Sequence, residues 1–355
     1  MDAECQIVSA ACMRAHAAPL LRCHRLTTAL ATASLIASVP VSAQAPADAL
    51  ERTITVSVRN EDGKNLRGLE AKHFRGQLRG RPVQILSAEE APTHRVVMLY
   101  DISGSMVNSR PAARLVAERF LALMPPQVPL AFLSFALEIH ERITFNADRS
   151  QLLSQVRTLE VPRRDPHAPK GADDTALFDA VSQAADMFGH AQPGDSIVVI
   201  TDGGENASRL NKLQIRQKLS DTGLRLFCFF VLEPLEEGLS SREELEGNGQ
   251  TVELSRTTGG EVYIFNAKEV MHFAQEWPPR ERASAQQRLE SLLTPIETMV
   301  REMNGFYVLK ILLPGPVEKP HGWKLEVVDP QTGKLDHHLI LHYPSKLMPS
   351  ANAGP

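Results

Sequence analysis

Between Val96 and Tyr100 the chain passes through apolar residues with no polar break, the pattern of a strand buried on both faces of a sheet that helices flank. After it, apolar runs of strand length alternate with segments whose apolar residues recur three and four apart. Strands are expected at Val128 to Phe135 and Glu138 to Phe145 around a short turn, then at Asp195 to Ile200, Leu224 to Leu232 and Val262 to Phe265. Ser109 and Pro111 form a helix start, Val116, Phe120, Leu123 and Met124 share one face, and Pro125-Pro126 is a stop. Further helices are expected over Asp148 to Leu159, over Asn211 to Asp221 closed by Gly223, and over Val252 to Thr258. Another opens at Thr175 and ends at Gly189, with Leu177, Val181, Ala184 and Phe188 facing the core. From Ala285 to Asn304 the apolar spacing predicts a helix, kinked at Pro295 and packed on the sheet. This alternation argues for an α/β fold, a doubly wound and mainly parallel sheet.

The two ends read differently. Thr53 to Arg59 alternates Ile54, Val56 and Val58 with polar residues, Glu61-Asp62-Gly63-Lys64 is a turn, and Leu66 to Leu86 continues as short β pieces. Phe306 to Leu313, Trp323 to Val328 and Leu335 to Tyr343 are also expected strands, the last two forming a hairpin through Asp329–Gly333. These small β segments before and after the α/β region are expected to pair with each other. His338 and His342 would share a strand face and His337 would point away, an incomplete ligand set that reads as an exposed strand face. Glu233 to Gln250 reads as a solvated acidic loop, Pro162 to Lys170 as a loop, and Met348 to Pro355 as a disordered tail.

Residues 1 to 43 change the picture of where the chain works. Arg14, Arg22 and Arg25 precede a small, apolar stretch from Leu26 to Val39, and Val41 and Ala43 suit a cleavage site before Gln44, as in a secretory signal peptide. Met13 is an alternative start that would shorten this leader. The apolar stretch falls below the roughly 20 residues that span a bilayer, so the mature chain is expected to be exported without a transmembrane segment, to the periplasm, cell surface or medium. Three of the four cysteines, Cys5, Cys12 and Cys23, lie in the leader. Cys228 sits in an apolar run and is expected in the core. A formal charge of −4 with no block of Lys and Arg among aromatics gives no basic surface, and no nucleic-acid partner is expected.

Candidate chemistry begins where the first apolar run ends. Asp101, Ser103 and Ser105 follow it on a tight loop, with Gly104 expected to supply a conformation that a Cβ would resist. Three oxygen-bearing side chains at the C-terminal edge of a parallel sheet suit a hard cation. Asp-x-Ser-x-Ser after such a strand resembles the first motif of a von Willebrand factor A (VWA) domain, whose metal-ion-dependent adhesion site (MIDAS) draws further ligands from later in the chain. The resemblance implies a Rossmann-like VWA fold and adds Thr175, in Gly171–Ala180, and Asp202, after the strand in Ser196–Glu205. The segment Val58–Phe74 looks, more loosely, like the module that precedes the A domain in exported bacterial proteins described as VWFA-related.

On this reading the chain divides into a signal peptide (1–43), a linker with a small β module (44–92), the VWA domain (93–304), a C-terminal β segment (305–345) and a disordered tail (346–355). Asp101, Ser103, Ser105, Thr175 and Asp202 would hold Mg²⁺ or Mn²⁺, and the family resemblance implies capture of a protein partner through its Asp or Glu. Asp173 and Asp174 depart from the family's glycine-rich lead into the threonine, and Asp174 is expected to cap the helix. No catalysis is expected, since the three motifs hold no His and the chain has no Gly-x-Ser-x-Gly elbow. Two alternatives stand beside adhesion. One is a structural subunit of an envelope assembly with a stabilising metal, the other a metal-assisted hydrolase in which Asp202 or Asp174 orients water.

Overall fold

The computed structural model describes residues 50–159, 174–233, 242–329 and 332–349, with backbone alone for 242–248. The expected leader with Cys5, Cys12 and Cys23, the loop at 162–170, Asp173, the first part of the acidic loop and the last residues of the tail lie outside these. Strand β1 (Glu51–Arg59) carries the expected alternation, with Ile54, Val56 and Val58 all buried. Strands β2 (Phe74–Leu78) and β3 (Arg81–Ala91) pair through a two-residue turn, Arg79-Gly80, in which both residues take positive φ (52° and 74°). That twist matches the strands it joins.

Strand β4 (Val96–Asp101) lies inside a second sheet with β5 (Leu130–Phe135), β6 (Ile139–Ile143), β7 (Ser196–Thr201), β8 (Arg225–Leu232) and β9 (Val262–Asn266). The order is β6-β5-β4-β7-β8-β9, parallel except for β6 at one edge. The unbroken apolar run of β4 is explained by its two faces. Val96, Met98 and Tyr100 pack with α1 (Arg110–Leu123), α2 (Arg149–Thr158), α6 (Ala267–Ala274) and α7 (Pro279–Met303). Val97 and Leu99 pack with α3 (Leu177–Met187), α4 (Lys212–Thr222) and α5 (Arg242–Thr257). The sheet is doubly wound, as expected.

Local signals place several ends well. Asn211 caps α4 by accepting from the Leu213 and Gln214 amides, and Gly223 closes it at φ 68°. Helix α5 starts eight residues before Gln250, inside the stretch read as a loop, because Gly247 and Gly249 weaken a helix without ending it. Helix α6 carried no expectation, and α7 begins at Pro279 rather than Ala285. Cys228 is fully buried with its Sγ 3.5 Å from Ser255 Oγ, and burial pushes its thiol up to about 12.

The last segment completes the first. Strand β10 (Phe306–Leu312) inserts between β1 and β3, and the antiparallel order is β12-β2-β3-β10-β1-β13, with β12 at Lys324–Val327 and β13 at Ile340–His342. A further small pair joins β11 (His321–Gly322) to β14 (Lys346–Leu347), so the first residues of the expected disordered tail are ordered instead, with Leu347 and Met348 buried. The expected hairpin forms at its turn, but the tail strands do not go on to pair with each other. Strands β12 and β13 each cover a different open edge, β2 and β1, and they are linked by a turn at Asp329, a bridge from Val328 to Leu335, and the Leu325 amide on the Tyr343 hydroxyl at 3.2 Å. His342 is not on an exposed face either. Its ring lies between Glu302 (Nδ1 to Oε1, 2.6 Å) and Glu261 (Nε2 to Oε2, 3.2 Å), because β13 packs back toward α7 and the start of β9. His338 is exposed and meets Glu61 at 2.8 Å.

Candidate metal centre

Chain order reverses at β4, since β5 and β7 leave it in opposite directions, and the crevice beyond the C-terminal strand ends at such a point is where open α/β sheets take ligands. Asp101 ends β4 there with no exposed surface. Its Oδ1 accepts the Ser103 amide at 2.8 Å, and its Oδ2 accepts the Thr201 hydroxyl at 2.5 Å from the end of β7. Ser103 is buried, Ser105 is exposed, and their Oγ atoms stand 3.1 Å apart. The first serine is therefore fixed and the second opens the group to solvent.

Thr175 and Asp202 come from separate loops that converge. The Thr175 carbonyl accepts the Asn206 and Ala207 amides at 3.1 and 3.2 Å, and its own amide donates to Asn206 Oδ1 at 2.8 Å. Asp202 Oδ1 accepts the Gly204 amide at 3.2 Å, after a turn at Gly203 with φ 93°. A methyl group on Gly204 would lie 3.4 Å from Thr175 Oγ1 and 3.5 Å from Asp202 Oδ1, so the two oxygens face one spot beside a backbone that has no side chain. Both residues are buried.

Burial raises the Asp101 carboxyl above the ordinary aspartate range and the Asp202 charge raises it further, against the hydrogen bonds from Thr201 and Ser103. Two like charges held close under burial are a place where a cation removes an electrostatic cost. The donor set is all oxygen, with two carboxylates and three hydroxyls, which fits a hard divalent ion that keeps some water. Among the described residues no group of three or more His, Cys, Asp or Glu gathers for a metal.

Three local expectations need correction. Gly104 is not the residue in the left-handed region; it starts a 3-10 turn, Gly104–Val107, and Gly203 takes that conformation instead. Thr175 does not open α3, which starts at Leu177 after Ala176. Asp174 does not cap it, since its Oδ1 faces Asn206 Nδ2 at 3.4 Å. The helix amides go to the loop after β7, where Glu205 Oε2 accepts from Phe178 (2.9 Å) and Ser208 Oγ from Phe178 and Asp179 (3.0 and 3.2 Å). Thr201, Glu205, Asn206 and Ser208 were missed as supporting residues. Their signal was a polar cluster directly after a buried strand, where loops that position a site are built.

Residues 96–205 match the family model described as von Willebrand factor type A domain. No curated protein matches the chain. Among solved structures it is similar to an aerotolerance-related membrane protein from Bacteroides fragilis, at 18% identity and TM-score 0.37 over 57% of this chain and 99% of that one. It is also similar to a von Willebrand factor type A protein from Catenulispora acidiphila, at 10% identity and TM-score 0.40 over 86% and 76% of the two chains. A third likeness, to proximal thread matrix protein 1 from the mussel byssus with a zinc-occupied MIDAS motif, has 10% identity and TM-score 0.41 over 62% and 49%.

Proposed function

From the von Willebrand factor type A domain that residues 96–205 carry, we propose that this chain captures a protein partner through a divalent cation held by Asp101, Ser103, Ser105, Thr175 and Asp202. The observation that carries this reading is the pair of buried carboxylates, Asp101 and Asp202, set among hydroxyls with Ser105 open to solvent. Such a set would hold Mg²⁺ or Mn²⁺ without saturating its charge. When bound there, such an ion would supply an electron-poor centre suited to an oxygen from an Asp or Glu of the partner. Asp101 and Asp202 provide the charge, and Ser103, Ser105 and Thr175 provide neutral oxygens. Thr201 and the Ser103 amide hold Asp101 in place.

Binding rather than catalysis is favoured because the segments that carry the donors, Asp101–Ser105, Gly171–Ala180 and Ser196–Glu205, contain no His to act as a general base. Export is part of the proposal and rests on the leader, with Gln44 as the first mature residue. Among the described residues no helix is long and apolar enough to cross a membrane. The deciding experiment is recovery of a partner from the native envelope with Mg²⁺, with EDTA, and with Asp101→Ala or Thr175→Ala. The proposal expects recovery only from wild type in Mg²⁺. A partner whose binding survives chelation and both substitutions would remove the metal site from the interface.

A further inference from the structure

We infer that the partner's coordinating carboxylate is flanked by an apolar side chain and by no second acidic residue, because Val107 and Leu137 stand exposed on loops beside the donor set, next to Glu138 and Asp174. This inference rests on the metal-dependent reading above. Val107 closes the 3-10 turn two residues after Ser105 and is 49% exposed, although Met106 before it is fully buried. Leu137, 45% exposed, follows Ala136, whose carbonyl accepts the amide of Ala176, the residue after Thr175, at 3.0 Å. The Ile102 amide donates to Phe135 at 2.8 Å, which fixes the same end of β5 beside the loop that starts at Asp101. Both apolar side chains thus emerge at the C-terminal sheet edge, on two of the loops that hold or brace the donors.

Single exposed aliphatic residues on a surface are ordinary, but two beside one site on separate loops form the apolar part of an interface core. The charges around them select further. Glu138 is exposed and Asp174 half-buried, each adjacent in sequence to Leu137 or Thr175, so an acidic run on the partner would meet like charge outside the cation's reach. Among the described residues, a lone carboxylate with a leucine or phenylalanine beside it brings an apolar group to Val107 and Leu137 and no second charge toward Glu138 and Asp174.

The test uses the chain from Gln44 onward and labelled short peptides with a central Asp or Glu in three flank sets, Leu and Phe, Ser and Gly, or Asp and Glu. Fluorescence anisotropy in millimolar Mg²⁺ reads peptide binding, and calorimetry reads Mg²⁺ binding separately. The apolar set should bind roughly tenfold more tightly than the Ser and Gly set, as expected for covering two half-exposed aliphatic side chains. Val107→Ser and Leu137→Ser should each lose roughly threefold for the apolar set alone, with Mg²⁺ affinity and melting temperature unchanged, whereas Val107→Ile and Leu137→Met keep the preference. Equal binding of all three sets in Mg²⁺, or folded serine variants that bind as wild type, would overturn the inference and leave the metal reading intact. Mg²⁺ bound with no peptide bound would overturn both.

Discussion

The hydroxyl of Thr201, at the end of β7, donates to Asp101 Oδ2, at the end of β4, at 2.5 Å, and accepts the Gly203 amide at 2.9 Å. One side chain therefore ties the first acidic donor to the loop that delivers the second. Thr201→Val keeps the shape and removes both bonds, leaving a buried carboxylate and a buried amide short of a partner. The variant should lose about 1–3 kcal/mol in denaturant unfolding without metal and bind Mg²⁺ less tightly by calorimetry, while Thr201→Ser stays close to wild type. Wild-type affinity and stability in Thr201→Val would show that the tie positions nothing.

Asp101 itself separates metal binding from stability. Asp101→Asn removes one of two like charges beside Asp202 and keeps a side chain able to accept the Ser103 amide. Without metal, its stability should fall by no more than about 1 kcal/mol. With millimolar Mg²⁺ or Mn²⁺, wild type should melt higher because the ion binds the folded state, and Asp101→Asn should not respond. A melting temperature that metal leaves unchanged in wild type would argue against the site.

The parts of the fold legible in the sequence were those with one dominant local cause. The run Val96 to Tyr100 had to be buried on both faces, and Asn211 with Gly223 framed α4 through its own side chain and φ. The site residues were legible as motifs, but their support was not. The cap of α3 comes from Glu205 and Ser208, 27 to 30 positions away, and no local signal near Asp174 reveals that. The tail failed for a related reason. Trp323 to Tyr343 has the alternation and turn of a hairpin, yet its strands pair with β2 and β1, partners at the other end of the chain that no local pattern names.

The distant cap gives a third expected outcome. Ser208 Oγ accepts from Phe178 and Asp179 and donates to Glu205 Oε2 at 2.7 Å, so Ser208→Ala leaves the Asp179 amide without this partner and the Phe178 amide with Glu205 alone. The cost should be about 1–2 kcal/mol by urea denaturation. Hydrogen exchange should quicken at Phe178 and Asp179, near Thr175, while exchange in β1 and β10 stays as in wild type.

Acid sensitivity should centre on Glu253. Lys212 (2.8 Å), Arg216 (2.7 Å) and Lys346 (2.6 Å) surround its carboxylate and hold it down to about 2, with the bonds from Lys212 and Lys346 the largest causes. Because the folded group ionises more readily than the unfolded one, its contribution is full above the ordinary glutamate range and is lost as pH falls from there toward 2. Screening at this partly exposed site keeps the contribution on the order of 1 kcal/mol. Glu253→Gln should be less stable than wild type at neutral pH, and the two unfolding curves should converge near pH 2. A difference independent of pH would assign the effect to packing.

The firmest expectation concerns how the β sheet is fastened to the α/β domain. Glu302, on α7, is fully buried, and its carboxylate meets Arg59 Nη2 from β1 at 3.4 Å, the Tyr263 hydroxyl from β9 at 3.2 Å and His342 Nδ1 from β13 at 2.6 Å. Arg225 is buried nearby, with its Nη2 on the Met303 carbonyl at 3.1 Å and its guanidinium 4.4 Å from the Phe306 ring centroid; burial lowers it to about 10 while the Glu302 charge opposes that fall. Removing the carboxylate strands Arg59 without its counter-charge, and an uncompensated buried charge costs more than the intact pair contributes. Glu302→Ala should therefore destabilise by about 3–5 kcal/mol, and Arg59→Ala added to it should cost less than the sum of the two single changes. Additive costs in that cycle would mean that the two side chains do not act as a pair. Since Glu302 lies away from the strand ends that carry Asp101 and Asp202, the variant that remains folded should still bind Mg²⁺ with wild-type affinity, which separates fastening from function.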